Sequence, residues 1–254
     1  MILVLAGTRD GRELAAELTL KGYPVLTTVV STYGRELAEA NGLSVTDGVL
    51  DEAGLAEVLG NKGVKLVVDA THPYAANVSR NAMAACERLG VRYLRYERPT
   101  APLPTYERLH LVKDAAEAAR CAARLGKVIF LTTGSRTLAV FKAEPELAAV
   151  RLVARVLPEP KVIAECIELG FSPGDIVALQ GPFSHELNVA LFKEFDSEVV
   201  VTKNSGLIGG SDSKFSAAMA LGIHLVVIDR PKVDYLNAVS CFEEVLKTVE
   251  EVME

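Results

Sequence analysis

The residues of this chain best equipped for chemistry crowd into one stretch: Asp69, Thr71, His72, Tyr74, Asn77, Arg80 and Asn81. A carboxylate, hydroxyls, an imidazole, a phenol and a guanidinium in so short a span can orient a polar ligand and meet a negative charge. Asn77 and Asn81 lie one helical turn apart with Arg80 beside them, so a polar stripe runs down one helix face. A hydrogen-bonding or anionic ligand explains that stripe better than packing does. The plainer alternative is that Thr71 caps the helix while His72 and Tyr74 close the sheet edge.

These groups must be positioned by a strand and a helix. The β-branched run Leu66 to Val68 predicts a buried strand, and Ala76, Val78, Met83 and Leu89 give helical spacing over Ala75 to Leu89. Pro73 suits the first turn, where its missing N–H would have had no partner. In an open parallel sheet such a junction lies at the carboxyl end of a strand, where ligands bind.

The same alternation runs along the whole chain. Strands are predicted at Ile2 to Ala6 and Val25 to Val30, each followed by a helix, about Gly11 to Leu20 and Gly34 to Ala40. The first turn, Gly7-Thr8-Arg9-Asp10-Gly11-Arg12, has glycines that let backbone N–H groups approach a phosphate at a helix N-terminus. The full G-x-G-x-x-G fingerprint is absent, so Thr8, Arg9 and Arg12 strengthen an otherwise common loop as an anion site. After the second strand, Ser31, Thr32 and Arg35 stand where an NAD-binding protein places an acidic residue for the ribose 2′-hydroxyl. Hydroxyls and an arginine suit a 2′-phosphate, pointing any nicotinamide cofactor toward NADP; a capping hydroxyl with a solvated arginine is the alternative.

Three prolines within Pro99 to Pro104 cannot belong to a central strand, so residues 98–105 read as a stiff linker between an N-terminal domain, 1–97, and a C-terminal domain, 106–254. The second half again alternates, with strands expected at Arg108 to Val112, Val128 to Leu131, Arg151 to Val156, Ile176 to Leu179, Val199 to Thr202 and His224 to Ile228. An amphipathic final helix, Leu236 to Val252, reads as structural, with Phe242, Val245, Leu246 and Val249 on its apolar side. Three strand-to-helix junctions here are polar and glycine-rich: Thr132 to Thr137, with Thr133, Gly134, Ser135 and Arg136; Gln180, Gly181 and Ser184; and Lys203, Asn204 and Ser205 through Lys214. Parallel strands would bring them to one rim, joined by Arg155. Thr71, at the first junction, is grouped with the cofactor residues.

Composition narrows the function. A net charge of −6 argues against a nucleic-acid surface, which needs a clustered basic face. Half the residues are hydrophobic, yet no apolar run approaches the ~20 residues of a membrane helix. Met1 to Gly7 lacks the basic segment of a signal peptide, so the reading is a cytoplasmic protein with no membrane partner. Cys86, Cys121, Cys166 and Cys241 are widely spaced with no histidine at ligand spacing, so no metal site is expected.

Taken together, Leu5-Ala6-Gly7-Thr8 to Arg12, the Asp69 to Ala82 stretch, Tyr93 to Pro99, Thr132-Thr133-Gly134-Ser135-Arg136, Gln180 to Ser184 with Glu186-Leu187-Asn188, and Thr202 to Gly206 resemble the precorrin-6A and cobalt-precorrin-6A reductases of cobalamin biosynthesis. The resemblance spans nearly the whole chain. It implies an α/β protein of two Rossmann-like domains with mainly parallel sheets, and NADPH and a tetrapyrrole in the cleft between them. It also implies an oxidoreductase that reduces one double bond of a macrocycle, metal-free or carrying cobalt, beside neighbouring enzymes of the same pathway. The acetates and propionates of such a ring need dispersed cations, for which Arg80, Arg95, Arg98, Arg136, Lys203 and Lys214 are candidates, with Asn77 alongside. Arg9, Arg12 and Arg35 are then reserved for cofactor phosphates. Reduction also needs a proton, and His72 and Tyr74 are the candidate donors. A short-chain dehydrogenase is disfavoured because no tyrosine has a lysine four residues later. A two-domain nucleotide-sugar glycosyltransferase and a non-catalytic small-molecule binder are the remaining readings.

Overall fold

Ile2, Val4 and Ala6 are buried in one apolar layer with Leu14, Leu18, Val245 and Val249, whereas Leu3 and Leu5 are buried in a second with Leu55, Leu59, Ala82 and Ala85. A strand whose alternate residues enter two cores lies inside a sheet covered by helices on both faces, the setting of parallel strands. The computed structural model that shows this describes residues 1–29, 32–46 and 51–254, without the side chains of residues 32 and 33. Ser31, Val30 and the Asp47-Gly48 turn lie outside the described residues.

The chain forms two compact units, Met1–Pro99 with Lys232–Glu254, and Thr100–Pro231. In order, the first unit contains β1 (Ile2–Leu5), α1 (Arg9–Leu20), β2 (Val25–Thr28), α2 (Thr32–Ala40), β3 (Val45–Thr46), α3 (Glu52–Lys62), β4 (Leu66–Asp69), α4 (Ala76–Leu89) and β5 (Arg92–Tyr96). The second contains β6 (Leu109–Val112), α5 (Ala115–Ala123), β7 (Val128–Leu131), α6 (Leu138–Ala143), β8 (Arg151–Val156), α7 (Pro160–Glu168), β9 (Ile176–Ala178), α8 (His185–Glu194), β10 (Val199–Lys203), α9 (Ser211–Leu221) and β11 (His224–Ile228). The chain then returns to the first unit with β12 (Ala238–Val239) and α10 (Phe242–Met253).

All strand pairs among the described residues are parallel. The first sheet runs β3-β2-β1-β4-β5-β12, the doubly wound dinucleotide order with its sixth place filled from the far end of the chain. The second runs β6-β11-β10-β7-β8-β9. Phe130, Val153, Val200, Leu225 and Val227 make one of its cores with Phe192 and Phe215 from α8 and α9, while α5 packs against β10 and β11.

The return segment corrects two expectations from the sequence. Residues 232–254 do not belong with 106–231, and a strand precedes a shorter final helix. Arg95 N donates to Asn237 O (2.8 Å) and Glu97 N to Val239 O (2.8 Å), giving β5 a partner on its outer edge. Tyr96 meets Phe242 edge-on with ring centroids 5.1 Å apart, and Val245 and Val249 are wholly buried in the first core. Helical periodicity showed an apolar face on α10 but not which sheet would bury it.

Val249→Ala removes two buried methyl groups and leaves a cavity. It is expected to lower the unfolding free energy of the intact chain by about 2 kcal/mol in urea titrations. The half-buried Leu246 should be the more tolerant position.

Candidate functional site

Strand order in the first sheet reverses between β1 and β4, so their following turns diverge and leave room for a ligand. Thr8 caps α1 by accepting from Gly11 N (3.2 Å), and its hydroxyl donates to Ala70 O (3.1 Å), tying the two turns together. Gly11 has no room for a side chain: a Cβ there would stand 2.9 Å from Ala70 O and 3.1 Å from the Ala6 Cα. This close approach is what a helix N-terminus needs to offer backbone N–H groups to a phosphate. Gly7 precedes it in the turn. Arg9 is exposed and bonded to Glu13 (2.7 Å), and Arg35 to Glu39 (3.2 Å). The half-buried Arg12 side chain has no hydrogen bond or ion pair among the described residues, which leaves it available to an anion.

At the end of β4, Asp69 is fully buried. Its Oδ1 accepts from Thr71 N (3.0 Å), Thr71 Oγ1 (2.7 Å) and Arg95 Nη1 (2.8 Å), and its Oδ2 from the Tyr93 hydroxyl (2.7 Å). Burial alone would raise the Asp69 carboxyl. The Arg95 charge and the hydrogen bonds from Ser79, Thr71 and Tyr93 outweigh it and hold the group below the usual carboxylate range. Arg95 also donates from Nη1 to Thr71 Oγ1 (3.0 Å), from Nη2 to Thr71 O (3.1 Å) and from Nε to Glu97 (2.8 Å). His72 Nδ1 accepts from Tyr74 N (3.2 Å), which places the proton of the neutral imidazole on Nε2. The two rings are 5.6 Å apart. Asn77 and Arg80 are exposed and bonded to each other at 3.3 Å.

Two of the expected ligand-facing arginines are placed otherwise. Arg95 is only 1% exposed and committed to Asp69, Thr71 and Glu97. Arg98 is buried and paired with Asp10 at 2.7 Å. A guanidinium taken out of water must be matched by a carboxylate, and both arginines find theirs within the first unit.

The second sheet reverses between β7 and β10. Lys203 Nζ donates to Thr133 O (2.7 Å) across that point, and the Thr137 hydroxyl donates to Thr133 Oγ1 (2.7 Å). Gly134, at φ +79°, starts the short 3-10 turn Ser135–Thr137, from which the exposed Arg136 emerges. Lys214 Nζ, in the first turn of α9, donates to Gly209 O (3.1 Å). Arg155 donates to Asn188 Oδ1 (2.8 Å) and lies 4.7 Å from the Phe183 ring centroid. Both Lys214 and Arg155 are buried, and neither forms an ion pair with a carboxylate among the described residues. Burial, helped by Arg155 and Lys203 and only partly opposed by Asp212, pushes the Lys214 ammonium down to about 7. Burial and Arg136 bring Lys203 to about 8, and burial brings Arg155 to about 10. Lys214 and Arg155 are thus buried cations held by neutral oxygens.

The remaining residues frame this rim. Gln180 and Gly181 are exposed after β9, and Ser184 caps α8 by accepting from Leu187 N (3.3 Å). Ser205 N donates to Ser211 Oγ (3.0 Å), and Lys203 O accepts from the same hydroxyl (3.2 Å). Asn204 differs from its expected role: its amide accepts from Ala101 N (3.0 Å) and donates to Ala101 O (2.9 Å), a two-bond latch inside the unit. Thr8, Thr71 and His72 follow strands of the first sheet, and Thr133, Arg136, Lys203 and Lys214 follow strands of the second. Asp10, Tyr93 and Asn188 lay within motifs of the sequence but were given no role of their own, and Tyr235 was not singled out. A polar residue on the apolar side of a helix, as Asn188 is in α8, was the one available signal.

Two doubly wound parallel sheets, each carrying anion-ready turns where strand order reverses, place the chain in the dinucleotide-binding class of α/β enzymes. It belongs to the family described as precorrin-6x reductase CbiJ/CobK, whose model matches residues 1–250. A cobalt-precorrin-6A reductase of Priestia megaterium is 42% identical, covering 97% of this chain and 96% of the relative. A precorrin-6A reductase of Rhodococcus erythropolis is 37% identical, covering 91% and 89%. The solved structure of CobK precorrin-6A reductase superposes with a TM-score of 0.82 at 29% identity, covering 98% of this chain and 96% of that one. The family match favours the reductase over the glycosyltransferase and the non-catalytic binder.

Lys214 must gain a proton to meet a carboxylate once pH exceeds about 7. Affinity for a polycarboxylate macrocycle such as uroporphyrin is therefore expected to be flat below that pH and to fall above it, by up to about tenfold per pH unit. Calorimetry at pH 8 in buffers of different ionisation heat should register proton uptake, which Lys214→Met removes.

Proposed function

We propose that this chain reduces one double bond of a corrin-precursor tetrapyrrole, precorrin-6A or its cobalt form, with NADPH as reductant. The observation that carries the reading is the contrast between the two switch points. The first offers a glycine-tight helix N-terminus, and the second offers buried Lys214 and Arg155, neither in an ion pair with a carboxylate among the described residues. A dinucleotide pyrophosphate suits the former, and a ring fringed with acetates and propionates suits the latter. The relatives whose names mention this substrate support the assignment.

Gly7, Thr8, Gly11, Arg12 and Thr71 would hold the cofactor, because the Gly11 approach to Ala70 leaves backbone rather than side chain at the turn. NADPH rather than NADH is supported by Ser31, Thr32 and Arg35 standing where an acidic residue would repel a 2′-phosphate. When bound, the nicotinamide supplies a hydride, and the conjugated ring accepts it. The protein's part is placement and charge. Lys203, Lys214, Arg136 and Arg155 anchor carboxylates by their charge. His72, kept by Tyr74 N with its proton on Nε2, is the first candidate for delivering the proton that balances the hydride, and Tyr74 the second.

Among the described residues, no helix is long and apolar enough to cross a membrane. No group of three or more His, Cys, Asp or Glu residues among them is placed to hold a metal ion. In the cobalt form of the substrate the metal arrives with the macrocycle.

An anaerobic assay of NADPH oxidation, run in parallel with precorrin-6A and its cobalt form, tests the proposal. One equivalent of NADPH consumed per macrocycle with at least one of them is expected; consumption of neither would refute it. Lys214→Met should raise the KM for the macrocycle roughly 10- to 100-fold, the loss of one charge-assisted bond, with little change in NADPH affinity. If His72→Ala and Tyr74→Phe both leave the single-turnover rate unchanged, the proton comes from elsewhere.

A further inference from the structure

The guanidinium of Arg95 joins three segments distant in sequence. Its Nη1 and Nη2 hold the Thr71 hydroxyl and carbonyl at the end of β4, and its Nε holds Glu97 beyond β5. Its face lies against the ring of Tyr235, with Cζ 5.2 Å from the centroid, and Tyr235 belongs to the segment that returns to the first unit after the second is complete. The Tyr235 phenol is itself hydrogen-bonded to Glu97. Asp69 accepts from the same Nη1, so all three guanidinium nitrogens have oxygen partners. The Tyr235 ring lies beside the guanidinium and backs this hydrogen-bonded arrangement, holding the fork against both Thr71 oxygens.

We infer that Tyr235 and Arg95 are positioning residues that set the Thr71-His72 turn, so that the returning carboxyl-terminal segment determines cofactor affinity without touching the cofactor. This rests on the reading of the first unit as the cofactor unit. Loss of the ring leaves the Asp69–Arg95 ion pair intact but removes the wall behind the fork that meets Thr71, so the effect falls on the turn more than on the core.

The test is fluorescence titration of the full chain with NADPH, beside titration with uroporphyrin. Tyr235→Leu is expected to raise the Kd for NADPH about five- to tenfold while leaving that for uroporphyrin within twofold. Tyr235→Phe, which keeps the ring, should stay close to the parent, and Arg95→Lys, which keeps charge but not the fork, should reproduce the loss. A Tyr235→Leu protein with a lowered Tm but unchanged NADPH affinity would overturn the inference and leave Tyr235 a packing residue. Gly11→Ala, which places a Cβ against Ala70 O, separates the two levels. If it weakens NADPH binding and Tyr235→Leu does not, only the positioning role has failed. If neither weakens it, the assignment of the cofactor to this unit has failed and the inference falls with it.

Discussion

The buried ion pair between Asp69 and Arg95 is the constraint on which the first unit depends. Their side chains are 0% and 1% exposed, so each charge is tolerable only because the other is 2.8 Å away. Removing Arg95 would leave the Asp69 carboxylate uncompensated in the core, at a cost of about 3–5 kcal/mol, whereas Arg95 has Glu97 as a second carboxylate partner. The pair does more than neutralise itself. Asp69 accepts from Thr71 and Tyr93, and Arg95 donates to Thr71 and Glu97, so the turn leaving β4 is held by side chains rooted in two neighbouring strands. A second buried pair, Asp10 with Arg98, ties the first turn of α1 to the stretch after β5. The loops around the first switch point are thus fixed by internal charge pairs.

The second unit manages charge in the opposite way. Its buried cations, Lys214 and Arg155, are held by a carbonyl and an amide oxygen respectively, partners that satisfy hydrogen bonds without cancelling charge. Burial, with Arg155 close by, brings Lys214 down to about 7. A site built in this way gives up some folding stability in exchange for a cationic field ready to meet an anion. The two units share a parallel-sheet architecture yet treat buried charge differently: Arg95 and Arg98 are paired with carboxylates in the first, whereas Lys214 and Arg155 form no carboxylate ion pair among the described residues in the second.

Much of this was legible in the sequence through particular residues. Gly11, four positions after Gly7 at the end of an apolar run, identified a tight strand-to-helix turn, and the structure shows the approach to Ala70 that forbids a side chain there. Lys203 and Lys214, bracketing a glycine-rich stretch, indicated a cationic rim. The roles of Arg95 and Arg98 were not legible, because an arginine beside a strand end looks the same whether its partner is a ligand or a carboxylate dozens of residues away. Asn204 misled for the same reason, its partner Ala101 lying 103 positions distant.

What the sequence determined by itself was local and periodic: alternation of apolar runs with amphipathic helices, glycines where backbone must approach backbone, and hence the α/β class with parallel strands. Side-chain period and turn chemistry are written over a few consecutive residues, so no distant information is needed to read them. Tertiary structure alone decided which sheet the final strand joins, which cations are paired and which are left open. Each of those depends on which distant residues occupy the same low-dielectric space, where an unmatched charge or an unpaired strand edge is costly. The carboxyl-terminal segment therefore carries an unmistakable apolar face in sequence, and only the exposed outer edge of β5 assigns it to the unit with which the chain began.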